Sequence, residues 1–160
     1  MGAANFKTNL KNLNIKKKIV LVGALLAMIS VFMPWYRDID RFNTGDMFLG
    51  ITGPMYLAGI IIFTSGIATF GHIALGLLEK PRPKLPLKEQ HFYVLSACVA
   101  GLMIILTSSV YFHPKFGMNV ANKSMQIGMI FGIIGAAMVL GGAIWMAKKA
   151  EVNFDVEGKV

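Results

Sequence analysis

His72 is the residue whose type and position could most directly do chemistry in this chain, since it is the one ionisable side chain well inside a long apolar stretch. Ionisable residues at membrane depth often mark ion or proton pathways. No carboxylate lies near His72 at helical spacing, which favours a neutral histidine bonded to a backbone carbonyl or to a partner's side chain. We therefore predict a polar contact at His72 and no catalytic role.

Three aspartates within nine residues could hold a cation. The candidate ligands are Asp38, Asp40 and Asp46. The calcium-loop pattern is not met, because Phe42 occupies the third ligand position and Asn43 occupies the place of the glycine. Two arginines lie within the same run and can pair with the acids. The pattern favours a solvated, self-paired loop, with a bound cation as the alternative.

Other combinations of reactive side chains are missing from the sequence. The three histidines lie on different segments at different expected depths, so they do not converge on a metal or haem within the chain. No nucleophile has a base in reach. Cys98 lies in an apolar run and is interpreted as a small core-packing residue. We predict no catalytic, cofactor-binding or metal-binding residue, and lipid as the one expected ligand.

Composition indicates a membrane protein. The chain has 160 residues, of which 55% are apolar and 15% charged, with a mean hydropathy of +0.60. Soluble domains carry about 25% charged residues, and here the apolar residues form long unbroken runs, which excludes a water-soluble fold. The net charge of +8 could indicate nucleic acid. The location of the positive residues favours membrane orientation instead, so no nucleic-acid partner is expected.

The apolar runs predict an all-α integral membrane domain with four transmembrane helices over residues 19–147. The spans cover about 19–35, 54–78, 91–112 and 125–147. Pro34 should end the first span, with Trp35 and Tyr36 in an interfacial aromatic belt. The positive run before this span resembles a signal peptide, but no small-x-small cleavage site follows, which predicts a retained anchor.

Residues 1–18 and 148–160 are polar tails. In the first, Ala3, Phe6, Leu10 and Leu13 recur at spacings of three and four with lysines on the other faces. This pattern predicts a short amphipathic helix at the membrane surface, and a disordered basic tail is an equal alternative. In the second, apolar and polar residues alternate over 152–157, which is typical of a strand. A frayed tail explains that segment equally well.

The distribution of positive charge predicts the orientation. Twelve lysines and arginines fall in the two tails and the loop after the second span, and four fall in the other two loops. The positive-inside rule then places both termini in the cytoplasm of a multi-pass protein of the cell membrane.

Small residues recur at every fourth position in three of the spans. We predict a helix-packing interface at Gly128, Gly132, Ala136, Gly23, Ala27, Ala97 and Gly101. In lipid, such stripes let helices approach closely and gain dispersion contacts where hydrophobic burial offers no driving force.

The spans contain no Asp, Glu, Lys or Arg, whereas transporters show such residues or broken helices. We therefore predict a non-catalytic accessory subunit that binds other membrane subunits in a hetero-oligomer. The alternative is a small homo-oligomeric channel or transporter. A free-standing claudin-type protein is disfavoured, because the first outer loop has no cysteines.

In size, topology and its Lys/Asn-rich segment 5–18, the chain resembles the small accessory subunits of respiratory complexes and of membrane-bound copper monooxygenases such as archaeal ammonia monooxygenase. The resemblance implies helices that flank catalytic subunits and seal lipid-filled gaps. It implies no site residue.

Overall fold

The computed structural model describes residues 3–39, 45–85, 87–113 and 122–157, which are mostly helical. The elements in chain order are α1 (Ala3–Asn12), α2 (Ile15–Ser30), β1 (Pro34–Ile39), β2 (Met47–Leu49), α3 (Tyr56–Leu77), α4 (Glu89–Tyr111), β3 (Asn122–Met125) and α5 (Ile127–Glu157).

Three of the described helices are long and apolar enough to cross a membrane, which confirms a helical membrane protein. They are α3, α4 and the portion Ile127–Lys148 of α5. Each begins within two residues of its predicted start. The predicted and observed starts agree because a segment in hydrocarbon must form its backbone hydrogen bonds internally. A helix does this, so the length of the apolar run sets the length of the helix.

The first predicted span, 19–35, differs from the helix that forms there. α2 begins four residues earlier, where the Asn14 side chain accepts a hydrogen bond from the Lys16 N–H at 3.0 Å, as an N-cap residue does. It ends at Ser30, before Pro34. Its 16 residues make a helix about 24 Å long, against a hydrocarbon thickness of about 30 Å.

α2 and α5 form the most extensive helix pair and run antiparallel. Gly128 lies against Pro34, and Gly135 lies against Gly23 and Ala27. Gly142 lies against Val20 and the Lys16 carbonyl at the other end of the pair. α2 and the turn after it therefore follow α5 from Gly128 to Gly142, through most of its apolar length.

A three-stranded antiparallel sheet caps the end of the bundle at which α2 finishes. Its strand order is β2-β1-β3, so β1 pairs with both the strand that follows it and the strand that precedes α5. The predicted all-α fold therefore describes the helix bundle, whereas two of the connections between its helices contain strands. Pro34 has no N–H with which to continue a helix, and the aromatic residues after it favour a strand.

The expectation that Trp35 and Tyr36 face the membrane interface is wrong. Both side chains are buried inside the protein. The Trp35 indole Nε1 donates a hydrogen bond to the Ser30 carbonyl at 2.7 Å, and the indole packs on Gly50. The Tyr36 ring lies 3.8 Å from the Tyr111 ring, centroid to centroid. These contacts join the sheet to the helices.

The first tail forms the short amphipathic helix that its spacing predicts, whereas the second tail differs from the strand interpretation. Phe6 and Leu10 of α1, and Leu13 just after it, are partly buried and pack against the core of the bundle. The strand interpretation of 152–157 is wrong, because α5 continues as a helix through Glu157. A lone strand leaves its backbone groups unpaired, whereas extension of an existing helix adds one hydrogen bond per residue without a new nucleation step.

Candidate functional site

Basic residues from three parts of the chain gather at one end of the helix bundle, opposite the sheet. This basic end comprises Lys16, Lys17 and Lys18 of α2, the connection between α3 and α4, and Lys148 of α5. Contacts hold these parts together. Lys16 Nζ donates a hydrogen bond to the Trp145 carbonyl of α5 at 2.8 Å, and it also lies 5.3 Å from the centre of the Trp145 ring.

A polar network at the basic end links α2, α3 and α4 through Glu89. Lys17 Nζ donates to Glu89 Oε2 at 2.8 Å and to Oε1 at 2.9 Å. The Tyr93 hydroxyl donates to Glu89 Oε1 at 2.8 Å, one helical turn along α4. Arg82 Nη1 lies 3.8 Å from Glu89 Oε1. A single carboxylate thus gathers three partners, with Arg82 beyond hydrogen-bond distance.

His72 joins this network from α3. Its Nδ1 lies 3.0 Å from the Tyr93 hydroxyl and 3.8 Å from Glu89 Oε1. Because the Tyr93 hydroxyl gives its one proton to Glu89, the proton of the His72 contact belongs to Nδ1. A buried polar contact to a side chain of the same protein thus exists at His72. The sequence argument missed Glu89 as its neighbouring carboxylate, because that residue comes from the next helix.

α1 is attached to the same end by an amide. Asn9 Nδ2 donates hydrogen bonds to the Leu77 carbonyl at 3.0 Å and to Glu79 Oε1 at 3.1 Å. The Leu77 carbonyl is one of the last in α3, where backbone acceptors have no partner within the helix. α1 therefore supplies a hydrogen-bond donor to a carbonyl at the end of α3, and its apolar face packs on the bundle.

A second polar chain lies inside the bundle between α3 and α4. Thr69 Oγ1 donates to Ser96 Oγ at 2.8 Å, and Ser96 Oγ donates to the Ser65 carbonyl at 3.0 Å. The Thr69 side chain is buried. Such hydrogen bonds between helices stabilise their association in lipid. They contain no charged group, so their role is the pairing of α3 with α4.

Most of the predicted packing residues lie at contacts within this chain. Gly23 faces Gly135, and Ala27 is buried. Gly128 lies against the turn that follows α2, and Gly132 lies against Ser30. Ala136 of the same stripe is buried as well.

Two glycines at the α2–α5 contact were not singled out from the sequence. Gly135 and Gly142 follow Gly128 at intervals of seven residues, whereas the predicted stripe follows Gly128 at intervals of four. The spacing of seven is the signal that could have found them. A Cβ on Gly135 would lie 2.6 Å from the Ala27 backbone nitrogen. The backbones of α2 and α5 thus approach to the limit that glycine allows.

Ala97 is buried in the core of the bundle, and it also lines, with Gly101, a groove on the outside. An apolar groove of about 230 Å³ lies between α4 and α5, with small residues in its floor and isoleucine and leucine side chains at its walls. The floor includes Ala97, Gly101, Ala136 and Ala137. A Cβ on Gly101 would have no heavy atom within 4 Å, so this glycine serves no close contact in the described part of the chain.

The remaining candidates are the three aspartates and Cys98. Asp38 lies in β1, Asp46 is exposed, and Asp40 falls outside the described residues. Among the residues described, no three His, Cys, Asp or Glu side chains group as a metal site would require. Cys98 is exposed on the bundle surface. Its interpretation as a core residue is therefore wrong.

These features define a helical membrane protein with a polar network at one end, a sheet at the other and an apolar groove on one side. No family model, curated protein or solved structure matches the chain.

Proposed function

We propose that this protein is a non-catalytic accessory subunit of a larger membrane enzyme complex, of the kind found in copper-dependent monooxygenases or respiratory complexes. It crosses the cell membrane four times, keeps both termini in the cytoplasm, and presents one face to a transmembrane helix of another subunit. It binds no cofactor of its own.

The four-span topology is supported by the course of α2 along α5. α5 is long enough to cross the membrane by itself. α2 and its following turn run antiparallel to it between Gly142 and Gly128, so both cover nearly the same depth. The short helix is completed by an extended segment whose aromatic residues are buried in protein, and non-helical backbone is tolerated at membrane depth where protein covers it.

The orientation is supported by the gathering of positive charge at one end. Lys16–Lys18, the α3–α4 connection and Lys148 all lie at the basic end, opposite the sheet. The positive-inside rule assigns such an end to the cytoplasm.

The groove between α4 and α5 is the main observation in favour of a role as a subunit of a larger complex. The small residues that face α2 are already occupied by contacts within the chain, whereas Gly101 meets nothing within 4 Å. In hydrocarbon, a small-residue floor between larger side chains permits the close approach of another helix, which gains dispersion contacts that lipid chains make less well. We therefore assign this groove to a transmembrane helix of a partner subunit.

The test is extraction of the tagged protein from its native membrane in a mild detergent, followed by native mass spectrometry. We expect a large hetero-complex. Gly101→Phe fills the groove floor and should abolish co-purification of the partner. Gly71→Phe is the matched control, because Gly71 lies on α3 outside the groove and also has open space around it.

Equal recovery of the complex with both variants would refute the groove as the docking face. Recovery of the unmodified chain as a monomer or homo-oligomer that conducts ions in liposomes would refute the accessory role. That result would favour a small channel or transporter.

A further inference from the structure

A cavity of about 340 Å³ opens at the basic end, beside the polar network. It lies between α1, the beginning of α2, the last turns of α3 and the α3–α4 connection. Its polar lining consists of Asn9, Asn12, Asn14, Lys17, Arg82 and Glu89. Leu13, Ile73 and Leu77 supply an apolar wall. The cavity is therefore polar and cationic on one side and apolar on the other.

Arg82 is the side chain that is open to a ligand. Its guanidinium lies on Gly76 of α3, where a Cβ would collide with the guanidinium nitrogens. Its one ion pair among the described residues, with Glu89, spans 3.8 Å, which exceeds hydrogen-bond distance. Because a guanidinium has five N–H donors in a planar fork, most of its donors remain available to a molecule in the cavity.

The other charged groups leave a net positive site. Lys17 holds both oxygens of Glu89 at 2.8 and 2.9 Å, so this pair is internally neutralised. Arg82 then contributes the uncompensated charge, and the side chain of Asn12 adds an amide donor at the rim. An oxyanion in the cavity meets attraction from Arg82, and the one carboxylate in the lining, Glu89, is already paired with Lys17. Glu79 accepts from the Asn9 amide at 3.1 Å but does not line the cavity.

We propose that this cavity binds a phosphate group, held by the guanidinium of Arg82 with the amides of Asn12 and Asn14 beside it. Arginine pairs with phosphate through two parallel N–H···O bonds, which match the geometry of the fork. Basic pockets between the ends of transmembrane helices bind anionic lipid headgroups. The apolar wall beside the donors suits the first carbons of an acyl chain, so a phospholipid and a small soluble phosphate compound are the two sources of this chemistry.

The proposal is independent of the accessory role. The cavity is formed by α1–α4 and the connection, whereas the partner groove lies between α4 and α5 outside the bundle. A protein that functions alone would bind the phosphate equally well.

Binding is measured on the full-length protein, purified in a neutral detergent, by native mass spectrometry and by titration with dihexanoyl phosphatidylglycerol. Dihexanoyl phosphatidylcholine, inorganic phosphate and glycerol 3-phosphate serve as the other probes. Arg82→Gln should weaken phosphatidylglycerol binding by about tenfold or more, as a lost charge-assisted hydrogen bond does. Lys84→Gln is the matched control, since Lys84 is exposed in the same connection and does not line the cavity.

Gly76→Ala is a second variant that keeps every charge. Its methyl group would displace the Arg82 guanidinium from its position on Gly76, so binding should fall, but by less than in Arg82→Gln, because the flexible side chain keeps its charge. If phosphate were attracted only by the overall basic charge of this end, the affinity of Gly76→Ala would equal that of the unmodified protein. The far-UV circular dichroism of each variant verifies that the helices are retained.

Phosphatidylglycerol binding that resists millimolar inorganic phosphate and glycerol 3-phosphate identifies a lipid headgroup. Displacement by either soluble compound identifies a soluble phosphate ligand. Equal affinity of Arg82→Gln and Lys84→Gln, or no binding of any phosphate probe to the unmodified protein, would overturn the proposal.

Discussion

The contact between α2 and α5 permits a sharp test of how this bundle is held together. A Cβ built on Gly135 lies 2.6 Å from the Ala27 nitrogen and 2.7 Å from the Gly23 carbonyl oxygen. Both are backbone atoms, so no side chain can rotate away. To restore an ordinary separation of about 3.5 Å, the helices must part by roughly 0.9 Å.

Gly135→Ala should therefore destabilise the protein. A gap of that size forfeits a quarter to a half of the dispersion energy of each contact across it, and overpacked cores lose about 1–3 kcal/mol. Alanine recovers up to about 1 kcal/mol through its helix propensity. We expect a net loss of up to about 2 kcal/mol in the free energy of unfolding.

Gly141→Ala is the matched control on the same helix, because a Cβ at Gly141 has no heavy atom within 4 Å. Its stability should be unchanged or higher by up to about 1 kcal/mol. The assay is unfolding by sodium dodecyl sulfate in mild detergent micelles, followed by tryptophan fluorescence and far-UV circular dichroism. A Gly135→Ala protein as stable as Gly141→Ala would refute the close backbone approach of α2 and α5.

Two further predictions concern the interior and the sheet. Thr69→Val removes the hydrogen bond to Ser96 and should cost about 0.6 kcal/mol, and at most about 1.7, in the same unfolding assay; Thr64→Val, whose hydroxyl bonds within its own helix, should cost less. An equal loss in both would count against the α3–α4 hydrogen bond. Gly50→Ala places a methyl group 2.6 Å from the Trp35 indole. It should lower the free energy of unfolding by about 1–3 kcal/mol and shift the tryptophan emission to the red. An unshifted emission would argue against the buried indole.

The sequence by itself predicted the membrane class and three of the span positions. Helix–lipid compatibility is a local property, because a run of apolar residues in hydrocarbon must satisfy its own hydrogen bonds. The amphipathic pattern of Phe6, Leu10 and Leu13 was informative for the same reason, since helical periodicity identifies which side chains share a face. It did not reveal that this face packs on the bundle.

The features that depend on two distant segments came from the tertiary structure alone. In the sheet, β1 pairs with β2 from the α2–α3 connection and with β3 from the α4–α5 connection. Neither segment alone has a sequence pattern that clearly predicts this pairing. His72 meets Glu89 because α3 and α4 pack side by side, although the two residues are far apart along the chain. The close contacts at Gly135 and Gly142, seven and fourteen residues after Gly128, were set by how α5 packs against α2. Spacing along one helix indicates which residues share a face, whereas the partner helix decides which face is buried.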